Sequence, residues 1–197
     1  MATFENRDPN SPAFWTERFE QQFTPWDRGG VPGALQQFVT RLQPRVALIP
    51  GCGTGYEVAF LSDAGWDVTA IDFSPAAVAA AKDGLGPWAE RVTEADFFTF
   101  TPERPVDLIY ERAFLCALPP SKWPAVITRW AQLLPAGGLL AGFFFFDNSV
   151  KGPPFGADRA ELQGMLSRYF EQIDDQPVSD SIPVFAGKER WQVWRKK

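Results

Sequence analysis

A chain of 197 residues is long enough for one domain with a full hydrophobic core. Its formal net charge of −5, with no basic run beyond the tail Arg195-Lys196-Lys197, argues against a phosphate-backbone partner, so no nucleic acid is expected. The chain has no histidine, which excludes a histidine base, a serine–histidine triad and a histidine-ligated metal, and no metal site is expected. Two cysteines, Cys52 and Cys116, give no disulfide framework. The opening segment is charged and broken by Pro9 and Pro12, unlike a signal peptide. The longest strongly apolar run, Leu139 to Phe146, is too short to span a bilayer. A cytoplasmic location away from membranes is the expectation.

Taken in order, residues 1 to 12 read as a mobile arm. Trp15, Phe19 and Phe23 follow at four-residue spacing, which puts them on one helical face. Thr24 to Gly33 is turn-rich and carries Trp26. The aromatic stripe fits two readings: a surface helix packed on the core, or a lid over a ligand. Ala34 to Leu42 reads as a helix.

Val46 to Ile49 reads as a buried parallel strand, and Pro50, which cannot donate to a ladder, should end it. Gly51-Cys52-Gly53-Thr54-Gly55 then turns into a helix from Tyr56 to about Ala64. Alternate glycines let a ligand lie against bare main chain, and the helix points its positive end back at the turn. A phosphate-binding loop needs a lysine and a hydroxyl after the last glycine; Tyr56 and Glu57 stand there. The dinucleotide fingerprint needs a third glycine where Tyr56 stands. What remains suits a nucleoside without pyrophosphate, its amino-acid tail lying against the turn. Trp66 to Ile71 reads as the second strand, ending at Asp72. An acid about 20 residues after the first glycine is placed to accept both ribose hydroxyls; its alternative role is a cap before Ser74-Pro75.

A helix through Ala76 to Ala81 ends near Gly84 and Gly86. Arg91 to Ala95 reads as a third strand ending at Asp96-Phe97-Phe98, an acid and two rings where an adenine would sit. Val106 to Tyr110 is the fourth strand, followed by Glu111-Arg112-Ala113-Phe114. Ser121 to Leu134 reads as a helix capped by Ser121. Leu139 to Phe146 is the fifth strand, Lys151 to Gly156 a loop, Arg159 to about Tyr169 a helix. Phe170 to Val178 and Arg190 to Arg195 read as an antiparallel closing pair. Alternating strands and helices predict an α/β class: a Rossmann-like doubly wound sheet, mostly parallel, with a closing antiparallel strand. Ligands on such sheets sit outside the carboxyl ends of the strands, which brings Gly51, Asp72, Asp96 and Arg112 to one crevice. Cys116 reads as apolar filler rather than a nucleophile.

The glycine turn and Asp72 resemble the class I S-adenosylmethionine-dependent methyltransferases. Trp15 with Thr24-Pro25-Trp26-Asp27, then Pro50-Gly51-Cys52-Gly53, Ala70-Ile71-Asp72-Phe73-Ser74, Tyr110-Glu111-Arg112, Ala117-Leu118-Pro119-Pro120 and Gly152-Pro153-Pro154-Phe155 together resemble one branch of that class. That branch is the thiopurine S-methyltransferase superfamily, with its thiol and halide methyltransferases, and the resemblance covers nearly the whole chain. It implies the cofactor S-adenosyl-L-methionine and the product S-adenosyl-L-homocysteine. It implies that Trp15, Phe19 and Trp26 close over the cofactor, that Gly51 and Gly53 touch it through the backbone, and that Asp72 holds the ribose. The resemblance also implies that Asp96 and Phe97 flank the adenine, and that Arg112 sits beside the methionine part and the acceptor as the catalytic electrostatic partner. Trp26, Phe114 and Phe155 would wall the acceptor pocket.

Phe19 stands where many members have Trp. The Trp26-Asp27 pair is similar to the plant thiol and halide group, whereas Arg112 is similar to the thiopurine side. This mixture leaves the acceptor open among a thiol, a thiopurine, bisulfide and a halide. A thiol of ordinary pKa ~8.5 is partly thiolate at neutral pH and a halide needs no base, which suits a chain without histidine. An oxygen or nitrogen methyltransferase of a small metabolite and a catalytically silent cofactor binder are the alternatives. One domain over residues 1–197, with 1–33 as arm and lid, acting as a monomer on a small-molecule acceptor, is the expectation.

Overall fold

The computed structural model of the chain describes residues 3–149 and 151–197. Its frame is one sheet of seven strands: β1 (Val46–Pro50), β2 (Asp67–Asp72), β3 (Val92–Glu94), β4 (Leu108–Arg112), β5 (Leu139–Phe145), β6 (Phe170–Pro177) and β7 (Glu189–Lys196). They lie in the order β3-β2-β1-β4-β5-β7-β6. The first five run parallel, and β7 inserts antiparallel between β5 and β6. The expected doubly wound sheet is therefore the fold, closed by the expected antiparallel pair.

Around it pack α1 (Pro12–Glu20), α2 (Gly33–Val39), α3 (Tyr56–Asp63), α4 (Pro75–Gly84), α5 (Trp123–Leu133) and α6 (Arg159–Leu166). Strand residues alternate between two buried layers. Leu48, Ile109, Leu140 and Phe144 meet α5 and α6 residues such as Trp130 and Leu162. Ala47, Ile49, Leu108 and Phe143 meet Leu35, Val58 and Val78 of α2, α3 and α4. Burial on both faces is why these strands read as unbroken apolar runs, and each large side chain buried contributes roughly 1.5–3 kcal/mol. β4 and β5 approach closely at Glu111 and Gly142, where any Cβ on Gly142 would overlap the Glu111 carbonyl. No helix among the described residues is long and apolar enough to cross a membrane.

Four expectations are corrected. Residues 3–11 of the expected mobile arm are tied down: the Glu17 carboxylate accepts the backbone N–H groups of Glu5 at 2.7 Å and Asn6 at 3.0 Å. Residues 1 and 2 of that arm lie outside the described residues. Phe23 leaves the Trp15–Phe19 face, because α1 ends before it. Gln22 turns left-handed at φ 54°, Phe23 N–H closes on the Arg18 carbonyl at 2.9 Å, and the Phe23 ring packs on Phe4 instead. Ser121 does not cap the α5 helix; it sits in a 3-10 turn, Pro120–Lys122. The Trp123 indole donates to the carbonyls of Leu115 and Leu118, both at 3.0 Å, and fixes the helix start there, where Pro124 in the first turn needs no partner. The third strand is shorter than expected, since Arg91 ends a 3-10 turn, Gly86–Arg91.

Candidate active site

The carboxyl ends of β1, β2, β3 and β4 open onto one cavity of about 260 Å³. At the end of β1, Gly51, Gly53 and Gly55 all take left-handed φ angles, 61°, 54° and 76°. A Cβ on Gly51 would stand 2.6 Å from the Phe114 ring. One on Gly53 would meet only Phe19, at 3.6 Å, so its backbone faces the cavity nearly bare.

Asp72 ends β2 and is buried against this turn. Its Oδ2 accepts Gly53 N–H at 3.1 Å and its Oδ1 accepts Ser74 N–H at 2.9 Å. Burial raises its pKa, and the backbone N–H bonds of Ser74, Gly53 and Phe73 oppose that rise. The capping role weighed for Asp72 belongs to Ser74, whose Oγ accepts Ala77 N–H at 3.2 Å at the start of α4. Asp72 itself lines the cavity.

The segment before β1 covers the opening. Trp15 is held by its indole N–H on the Pro9 carbonyl at 2.9 Å. It meets Trp26 edge-on, ring centroids 5.3 Å apart, and Phe19 meets Trp26 at 6.1 Å. Thr16 joins Ser74 at 2.9 Å, seating α1 on α4. Asp27 Oδ2 accepts the Thr54 hydroxyl at 3.0 Å, so the covering segment is bonded to the glycine turn. After β3, exposed Asp96 stands at the rim, its Oδ1 accepting Phe98 N–H at 2.9 Å. Phe97 is buried edge-on to Phe114 at 5.0 Å. The structure thus brings Trp15, Phe19, Trp26, Gly51, Gly53, Asp72, Asp96, Phe97, Arg112 and Phe114 to one cavity.

Arg112 is the last residue of β4. Its Nη1 donates to Glu189 Oε2 at 2.9 Å, an ion pair with an acid from the far end of the chain. The guanidinium carbon lies 4.5 Å from the Phe143 ring and 5.6 Å from the Phe185 ring. Its Nη2 has no hydrogen-bond partner among the described residues.

Phe155 corrects the sequence reading, for it does not line the cavity. Its N–H donates to the Cys116 carbonyl at 2.7 Å, and its ring folds onto Gly152, filling the space of a Cβ there, and packs on the core. Pro153 and Pro154 of the same loop line the cavity instead. Burial and the Glu111 carboxyl push the Cys116 thiol far above its ordinary range, so it is no nucleophile.

Sequence reasoning missed Phe185, Glu189, Asp27, Thr54, Glu57 and Tyr110. Phe185 and Glu189 close the chain after β6, where no motif marks them. Glu57 and Tyr110 pair at 3.2 Å beneath the glycine turn, and burial raises both pKa values. The four carboxylates lining the cavity are all engaged: Asp27 with Thr54 and Gly29, Glu57 with Tyr110, Asp72 with Gly53 and Ser74, Asp96 with Phe98. The arrangement offers bare backbone, a carboxylate to accept a diol, aromatic faces for a cation, and the cationic side chains of Arg28, Arg112 and Lys122.

The model of the family Thiopurine S-methyltransferase matches residues 10–197. Thiocyanate methyltransferase 1 of Arabidopsis thaliana is 31% identical over 190 residues, covering 92% of this chain and 84% of that protein. The thiopurine S-methyltransferase of Pseudomonas putida (strain GB-1) is 30% identical over 197 residues, covering 88% of this chain and 91% of that protein. A crystal structure of Burkholderia thailandensis 1,6-didemethyltoxoflavin-N1-methyltransferase superposes with a TM-score of 0.75 at 20% identity, covering 100% of this chain and 93% of that one; it bears on the fold.

Proposed function

The chain belongs to the thiopurine S-methyltransferase family, and from that membership we propose which of its residues hold cofactor and acceptor. The protein is an S-adenosylmethionine-dependent methyltransferase of small soft nucleophiles. Bound S-adenosylmethionine supplies a methyl group on a sulfonium sulfur, open to in-line displacement. The cavity fits it: Gly51 and Gly53 present backbone to its amino-acid part, and the buried Asp72 carboxylate accepts the ribose hydroxyls. Asp96 and Phe97 take the adenine edge and face. Trp15, Phe19 and Trp26 cover the cation, an aromatic contact contributing ~0.5–2 kcal/mol.

The acceptor end is Arg112 among Trp26, Phe114, Phe185, Pro153 and Pro154. Arg112 donates to the incoming nucleophile, and the aromatic walls hold it ~3–3.5 Å from the methyl, aligned and short of water. The observation that carries a soft acceptor is the chain's lack of histidine together with its family membership and its likeness to thiocyanate and thiopurine methyltransferases, for a thiolate, a thione or a halide asks for no base. Residues 1–33 serve as arm and lid of a single domain. The acidic balance supports the absence of a nucleic-acid partner. The scarcity of exposed large hydrophobics among the described residues, Phe23, Tyr56 and Ile173, supports a monomer, which we place in the cytoplasm.

The test is headspace gas chromatography with S-adenosylmethionine and, in parallel vials, iodide, bisulfide and thiocyanate, counting S-adenosylhomocysteine in each, with a thiopurine in a further vial. Product from any of these soft acceptors is the expected result. Turnover confined to oxygen or nitrogen acceptors, or binding without turnover, would overturn the reading.

A further inference from the structure

Arg112 and Glu189 straddle the end of β5. Arg112 pairs across to Phe143, and Glu189, the first residue of β7, pairs across to Phe145. Their side chains meet at 2.9 Å with exposures of 12% and 3%, so the pair is desolvated. Phe143 and Phe185 lie within 5.6 Å of the guanidinium carbon, and Phe145 packs on Phe185 at 5.4 Å. Arg112 lines the cavity and Glu189 does not. One nitrogen of the guanidinium is committed to Glu189, and Nη2 has no partner among the described residues.

We propose that Glu189 is a positioning residue that sets the charge of the acceptor site, holding Arg112 by Nη1 and cancelling its charge. This rests on the reading above that Arg112 meets the acceptor. An anion entering beside a free guanidinium gains a counter-charge for the hydration it loses. Beside the Arg112–Glu189 pair it meets no net charge and recovers little of that loss. An uncharged thione has far less hydration to lose. Its sulfur attacks the methyl carbon, and the bond to the sulfonium sulfur breaks with its electrons staying on the cofactor. The product then sheds its N–H proton to water. Glu189 thus tilts the site from inorganic anions toward uncharged sulfur acceptors, by charge rather than by shape.

The test compares Glu189→Gln, which can still accept from Nη1, with wild type on thiocyanate and on an uncharged heterocyclic thione. Removing the carboxylate charge is expected to raise kcat/KM for thiocyanate at least about tenfold, while that for the thione stays level or falls. Thiocyanate binding to the S-adenosylhomocysteine-loaded protein, read by tryptophan fluorescence, should tighten in parallel. Equal changes for both acceptors, or none, overturn the proposal. Glu189→Asp keeps the charge but withdraws the oxygen; it should lower kcat for both acceptors and leave their ratio unchanged, and a shifted ratio counts against the proposal. If Glu189→Gln does not fold, wild type carries the test: thiocyanate in large excess should not compete with the thione, and competition at equal concentration overturns the proposal. Arg112→Met separates the two readings. If it changes neither acceptor's kcat/KM, the placement of Arg112 fails; if it does and Glu189→Gln changes no ratio, only the role of Glu189 fails.

Discussion

The Thr54 hydroxyl donates to Asp27 Oδ2 at 3.0 Å, joining the glycine turn after β1 to the segment that covers the cavity. Asp27 is held in turn by Gly29 N–H on its Oδ1 at 2.7 Å, and it follows Trp26 directly. The Thr54–Asp27 hydrogen bond, with the Trp15 and Phe19 rings, fixes where Trp26 sits over the cavity. Thr54→Val removes it without changing bulk. Losing a bond of this kind costs about 0.5–1.5 kcal/mol, so KM for S-adenosylmethionine should rise roughly threefold to tenfold. The bond is already made in the ligand-free protein, so its melting temperature should fall by roughly 1–6 °C, which a thermal melt checks.

Asp72 is asked to hold a ribose while it already accepts Gly53 and Ser74. Asp72→Asn turns one acceptor into a donor facing one of those N–H groups and weakens the diol contact. Charge-assisted bonds are worth about 1.5–3 kcal/mol. Calorimetry with S-adenosylhomocysteine should show Kd raised on the order of tenfold to a hundredfold; a change under twofold would remove Asp72 from the cofactor site.

Gly51 carries both a left-handed backbone and the Phe114 ring, 2.6 Å from where a Cβ would stand. Gly51→Ala should cost of order 1–3 kcal/mol of strain. At roughly 2–4 °C per kcal/mol for a chain of this size, a fall of several degrees in Tm is expected. Phe114 must also shift, so KM for the acceptor should rise with it.

Burial lifts the Glu111 carboxyl from 4.5 to about 8, the N–H groups of Leu115 and Phe114 and the charge of Arg112 only partly opposing it. The acid is thus neutral in the folded protein where it is ionised in the unfolded chain. Its contribution to stability is complete below 4.5 and is lost as pH rises to about 8, a total of order several kcal/mol. Urea unfolding should give a lower free energy at about pH 9 than at about pH 5. Glu111→Gln, whose amide oxygen still accepts Leu115 N–H, should flatten much of that slope. Some slope should persist, because burial raises Glu57 and Asp72 as well.

What was legible in the sequence is what local chemistry dictates. Val46 to Pro50, the alternate glycines and Asp72 could be placed because strand burial, left-handed turns and a strand-end acid each leave a mark at fixed spacing. The sheet followed from alternating periods, and even the antiparallel closure was readable. Elements set by distant side chains were not. Ser121 resembles a cap, yet the Trp123 indole sets the helix start. Phe23 continues the spacing of Trp15 and Phe19, yet Gln22 ends the helix before it. At the acceptor end, Glu189 lies 77 positions after Arg112 and reaches it only through the strand order β4-β5-β7. Phe155 has the right residue type but the wrong side of its loop, a matter of one backbone bond to Cys116.

The central claim is methyl transfer to a soft nucleophile that Arg112 meets, and saturation kinetics of wild type and Arg112→Met with a thiol or thione acceptor test it most directly. The expected result is turnover to S-adenosylhomocysteine by wild type, with kcat/KM for the acceptor falling on the order of a hundredfold in Arg112→Met, about 2–3 kcal/mol of lost transition-state contact. Wild type that forms no S-adenosylhomocysteine with any soft acceptor, or an Arg112→Met variant with unchanged kcat/KM, would contradict it.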